Sequence, residues 1–146
     1  MQNDSTLGRF ADSEWAAFIA KLEVAEHEFA QGRPAAFKAL WTHSDDVSIC
    51  GAFGGVESGW DKVASRLDWA SSQFSDGTRS REEIRCTVGP DFAYLVQTEH
   101  IRFRVPGRTE ESTLDLRVTM VFHRGADGWR IVHRQADSQK STQLPQ

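Results

Sequence analysis

The apolar positions of this chain change their period once. In the first half they recur every three or four residues, and from residue 82 onward they alternate. Behind Asp12-Ser13, a pair suited to capping a helix, Trp15, Phe18, Ile19, Leu22, Ala25 and Phe29 share one face, which predicts a helix ending near Gln31. Gly32 stops it, and Pro34 opens a short second helix carrying Phe37, Leu40 and Trp41. Val47, Ile49 and Gly51 alternate with Ser48 and Cys50 in a brief strand, and Gly54-Gly55 permits a sharp reversal. A third helix is predicted from a cap at Ser58, with Trp60, Val63, Leu67, Ala70 and Phe74 as its apolar stripe. The polar segment SDGTRSR at 75–81 reads as a loop.

Four strands are predicted after it. Ile84, Cys86 and Val88 form the first, closed by Gly89-Pro90-Asp91. In FAYLVQTEHIRFRV the apolar phase moves from even positions (Phe92, Tyr94, Val96) to odd ones (Ile101, Phe103, Val105), which predicts a β-bulge between Gln97 and Glu99. Leu114, Leu116, Val118, Met120 and Phe122 alternate after the Pro106-Gly107 turn, and Trp129 to Ala136 is the last strand. Helices first and strands afterwards specify an α+β domain: a cone-shaped, curved antiparallel sheet covered on its concave face by three N-terminal helices. Residues 12–138 are expected to form this single domain, between flexible ends at 1–11 and 139–146.

Composition narrows the function. A chain of 146 residues is long enough to bury a core without disulfides or metals. A net charge of −4 with no basic run leaves nothing to neutralise phosphates, so a nucleic-acid partner is not expected. No stretch reads as a membrane span, and MQNDSTLGRF lacks the parts of a signal peptide. Cys50 and Cys86 are isolated within predicted strands and read as buried thiols of a reducing, cytoplasmic compartment. No two histidines are spaced to converge on a metal, and neither a metal nor a cofactor is expected. Five Trp and nine Phe suit a fold that walls a cavity as well as filling a core.

The terminal hairpin holds the candidate chemistry. A four-residue loop at 125–128 flanked by Arg124 and Trp129 pairs Phe122 with Ile131, Met120 with His133, Val118 with Gln135 and Leu116 with Asp137. In that register one face is apolar near the turn and polar further along, the gradient expected of a pocket under helices. His133 is then a candidate general acid or base, since imidazole titrates near neutrality. Trp15, Trp41, Met120 and Phe122 would be walls, with Gln135, Tyr94 and His100 as polar contacts. The other face carries Thr113, Asp115, Arg117 and Thr119 beside Arg130, Val132 and Arg134, a polar surface on which a second copy can pack by two-fold symmetry.

Three segments, FAQGRPAAFKALWTHSDDVSI, GGVESGWDKV and RVTMVFHRGADGWRIVHRQADS, resemble the nuclear transport factor 2-like superfamily, which includes ketosteroid isomerases and SnoaL-like polyketide cyclases. The last segment is also similar to the association domain of calcium/calmodulin-dependent protein kinase II. The resemblance spans about residues 12–138 and implies a homodimer with a hollow between sheet and helices. It also implies what is missing. The positions matching the isomerase general base and its two oxyanion donors are Gly51, Ala25 and Val118, none of which can act in that chemistry. The expected function is binding of a small, largely apolar or weakly acidic molecule; the alternative is an isomerase, cyclase or dehydratase using His133. One scaffold serves both classes.

Overall fold

The computed structural model describes residues 4–140, and the side chains of residues 13–140. Helix α1 spans Asp4–Phe29, so Asp12-Ser13 lie inside it and the predicted cap is not its start. Neither residue breaks a helix, and each lowers helix propensity only by a fraction of a kcal/mol. Residues 4–11, expected to be loose, are therefore helical, while 1–3 and 141–146 fall outside the described residues. The buried face of α1 carries Phe18, Leu22 and Ala25, and with them Glu26, and Ala30 is buried just after it. Gly32 ends the turn at φ 86°, a conformation glycine adopts without strain.

Helix α2 (Ala35–Ala39) follows Pro34, and Trp41 leaves it to bridge Ile131. Strands β1 (Ser48–Cys50) and β2 (Val56–Ser58) form a hairpin around Gly54 and Gly55, which have φ of 93° and 80°. Helix α3 spans Trp60–Ser71, with Gly59 at its N-cap in place of the predicted Ser58. The long strands are β3 (Ser75–Val88), β4 (Phe92–Arg104), β5 (Glu111–Gly125) and β6 (Gly128–Ser138).

All six strands make one sheet in the order β2-β1-β6-β5-β4-β3. The expected all-antiparallel pairing is broken once, where β1 runs parallel to β6. Segment 75–81, expected as a loop, is the start of β3. Its inward positions are charged, so alternation of polarity does not reveal it. Gly77 permits this start beneath α1: a Cβ there would lie 2.0 Å from the Ala30 carbonyl oxygen.

The bulge predicted in β4 is absent from its pairing with β5, which runs unbroken from Phe92↔His123 to Arg104↔Glu111. Odd positions of β4 face inward throughout, from Ala93 to Phe103, and Phe92 and Tyr94 face outward. The apparent phase change arose because inward Gln97 and Glu99 are polar while outward Phe92 and Tyr94 are aromatic. Real register shifts lie in the β3–β4 pair and between β5 and β6 at Val121/Phe122.

The core lies between the sheet and the helices. Trp41, Leu95, Leu116, Met120, Phe122 and Ile131 are fully buried. Trp15 meets Phe122 and Trp129 edge-on, with ring centroids 5.0 and 5.1 Å away. No described helix is long and apolar enough to cross a membrane.

Candidate functional site

The β5–β6 irregularity decides which residues reach the interior. Phe122 pairs with Ile131 as expected, but one residue of β6 is then skipped, and Val121 pairs with His133, Met120 with Arg134, Thr119 with Gln135 and Val118 with Ala136. Side chains in a strand alternate, so a slip of one residue exchanges the faces. The expected pairs Met120–His133, Val118–Gln135 and Leu116–Asp137 do not form. Arg134, expected outside, points inward, and its side chain is 13% exposed.

The bulge carries His133 to the outer face, half-buried, with Nδ1 2.8 Å from Ser48 Oγ. Gln135 Nε2 donates to Asp137 Oδ2 at 3.2 Å on that face. His100 Nδ1 lies 2.5 Å from Asp115 Oδ1, and Tyr94 is 39% exposed. Trp41, Met120 and Phe122 are packed into the core, with Trp15 partly buried against it. The eight residues singled out from the sequence divide between outer sheet face and core, and none lines the cavity between sheet and helices.

The enclosed part of that cavity holds about 70 Å³, room for a couple of waters, and it opens to solvent at one end. Phe29 and Phe37 wall it from α1 and α2, Leu67 and Ala70 from α3, and Ile101, Leu114 and Leu116 from the sheet. Glu26, Glu99 and Arg134 form its inner polar end, and Phe53 and Arg66 stand at its rim. Gly51 lines it too, so the position matching an isomerase general base faces the cavity without a carboxylate.

The inner end is a buried ion cluster. Arg134 donates two hydrogen bonds to Glu99, Nη2 to Oε1 at 2.9 Å and Nη1 to Oε2 at 3.0 Å. Gln97 Nε2 donates to Glu99 Oε2 at 2.6 Å. Arg79 Nη2 lies 3.0 Å from Glu99 Oε2 and 2.5 Å from Glu26 Oε2. Arg81 reaches from the β3 side, donating to Gln97 Oε1 at 3.1 Å and to Glu23.

The two buried carboxyls have different fates. Burial alone would raise the pKa of Glu99, but Arg134 and Arg79 outweigh it and hold the group well below the usual carboxylate range. Burial dominates at Glu26 and pushes it from 4.5 to about 7, with Arg79 drawing it down and Glu99 adding to the rise. One carboxylate is thus fixed as an anion while its neighbour exchanges a proton near neutrality.

Two of these residues left traces in the sequence. Glu26 stands four places after Leu22, inside the apolar stripe of α1, and Glu99 shares the phase of Ile101 and Phe103. Arg134 left none, because the bulge that turns it inward has no compositional mark.

Comparison with known proteins fits this architecture. Residues 22–137 match the SnoaL-like domain. The chain belongs to the SnoaL-like family. A nuclear transport factor 2-like superfamily protein from Salmonella enterica superposes on the SnoaL-like domain with a TM-score of 0.78 at 19% identity, covering 94% of this chain and 96% of that one. A Streptomyces avermitilis protein of the same family, proposed to be a dehydratase, gives 0.75 at 19% identity, with 90% and 99% covered. A ketosteroid isomerase-like protein from Erwinia carotovora gives 0.65 at 13% identity, with 89% and 94% covered. These likenesses establish the fold. Among curated proteins no sequence match is found.

Proposed function

We propose that this SnoaL-like domain binds a small, largely apolar molecule in the cavity, with a carbonyl, a hydroxyl or another weakly acidic O–H group of that molecule against Glu26, the carbonyl accepting and the O–H donating. The observation that carries the reading is a carboxyl, 6% exposed and titrating near 7, at the inner end of an apolar hollow. Apolar walls gain roughly 25 cal/mol for each Å² they take from water. Protonated Glu26 donates a hydrogen bond to a carbonyl; ionised, it accepts one from a hydroxyl. Arg134 and Arg79 are already committed to Glu99 and Glu26.

Phenol and toluene are suitable probes, since they differ by one hydroxyl. Phenol is expected to bind about fivefold more tightly than toluene, and Glu26→Leu to erase the difference. Calorimetric titration showing equal affinity for the two in the wild type would remove Glu26 from the site.

A second reading makes the same carboxyl catalytic. A group whose pKa lies near the working pH is suited to general acid–base transfer, and the Streptomyces and Erwinia proteins carry dehydratase and isomerase descriptions. His133 faces away from the cavity, so the proton carrier in this reading is Glu26. Turnover of small β-hydroxy carbonyl compounds, lost in Glu26→Gln, would favour catalysis over binding alone.

We also propose a homodimer through the outer sheet face. Phe92, 54% exposed, and Tyr94 lie there beside the partly buried Val96 and Val121. Arg117 pairs with Asp137 and Arg102 with Glu111, so the face presents balanced charge to a second copy. Sedimentation at micromolar protein is expected to give the dimer mass, and Tyr94→Lys to shift it toward monomer. A wild type that sediments as a monomer would remove this interface.

A further inference from the structure

The rim of the cavity holds a cation with no carboxylate in salt-bridge contact among the described residues, although Glu57 and Asp61 share an outer surface groove with it. Arg66, on α3, lines the cavity and is partly buried. Unlike Arg79, Arg81 and Arg134, it forms no salt bridge among the described residues. Its guanidinium lies over the Trp69 ring, 5.0 Å from Cζ to the centroid, and Nη2 donates to the Gly54 carbonyl. The β1–β2 turn leaves room for it. A Cβ at Gly51 would come within 3.4 Å of Arg66 Nε, and one at Gly55 would strike Nη2. Gly54 and Gly55 also have positive φ, at 93° and 80°, where side chains are strained.

These features fix a planar, multi-donor cation at the mouth of an apolar hollow with most of its N–H groups unspent. A partly desolvated guanidinium of this kind matches a carboxylate in shape and charge. The inner end offers less of an opening: Glu99 takes both arms of Arg134, and Arg79 lies within ion-pair distance of Glu26 and Glu99, although its buried Nη2 makes no well-aligned hydrogen bond. Phe53, 40% exposed, and Trp69, 45% exposed, flank the position and meet edge-on at 5.6 Å.

We infer that the ligand class is a small monocarboxylic acid with an apolar body, its carboxylate on Arg66 at the rim and its body reaching from the open mouth beside Phe53 into the hollow among Phe29, Leu67 and Phe74, whose enclosed volume of about 70 Å³ takes only part of a ring. This assignment rests on the cavity-binding reading above and adds the orientation: acid outward, neutral group inward.

Phenylacetate, phenylacetamide and toluene serve as probes, measured by calorimetry. The wild type is expected to favour phenylacetate over the amide by about tenfold at pH 8. Arg66→Gln should erase that preference while leaving affinity for the amide in place, and Arg66→Lys should restore part of it. Thermal unfolding of each variant checks that it is folded; if Arg66→Gln does not fold, the acid-over-amide ratio in the wild type and its partial decline in Arg66→Lys decide. An acid bound no better than its amide, or a preference that survives Arg66→Gln, overturns the assignment. So does proton uptake on phenylacetate binding, seen by titration in two buffers of different ionisation enthalpy, because it would place the anion beside Glu26. Toluene binding without any preference for the acid would sink the Arg66 assignment alone. Failure of all three probes would sink the cavity reading with it.

Discussion

Glu99→Ala is expected to lower folding stability by about 3–5 kcal/mol, read as the loss of unfolding free energy in urea. Glu99 is 2% exposed, and its carboxylate receives both hydrogen-bonding arms of Arg134 while lying 3.0 Å from Arg79. Removing it strands two buried guanidiniums with Glu26 as their remaining buried partner, and water that hydrates them has to enter the core. Glu26 would answer by ionising at lower pH, offsetting part of the loss. Removing charge of both signs is a different experiment: Glu99→Leu combined with Arg134→Met strands less charge and should recover much of the deficit. A loss below about 1 kcal/mol for Glu99→Ala would mean that the cluster is hydrated in solution and does not organise the cavity.

The second large effect is a pH dependence whose two contributions have opposite sign. Glu26 faces Arg79 from β3, Glu99 from β4, Arg134 from β6 and Glu23 from its own helix, and its folded pKa is raised from 4.5 to about 7. A raised carboxyl stabilises the fold fully below 4.5, and that contribution is lost as pH rises through about 7. Glu99 is depressed, so its contribution is present above the ordinary carboxylate range and lost as pH falls below it. The cluster is therefore most stabilising in mildly acidic solution. Glu26→Gln, which mimics the protonated form, is expected to gain about 2 to 3 kcal/mol on the wild type between pH 5 and pH 8, the wild type being the one that declines. Urea unfolding of both proteins across that range isolates Glu26 from the histidines, which both share. Parallel curves would show that Glu26 titrates as an ordinary exposed carboxyl and withdraw its proposed role in the cavity.

Much of the architecture is written in local pattern. The stripe from Phe18 to Phe29 made a helix face, Gly32 and Pro34 marked its end and the next start, and clean alternation from Leu114 to Phe122 made β5. Each is a local effect, the period of a backbone or the allowed φ of one residue, so the sequence alone determined an α+β chain. Tertiary structure decided the site. A single bulged residue exchanged His133 and Gln135 for Arg134 and Ala136, and strand polarity carries no record of such a slip. Charged residues read as solvent-facing until the fold brings opposite charges together: Arg79 in an expected loop, Glu26 within an apolar stripe and Glu99 at an expected bulge became one buried cluster. Burial of charge depends on partners distant in sequence, and only the assembled sheet and helices supply them.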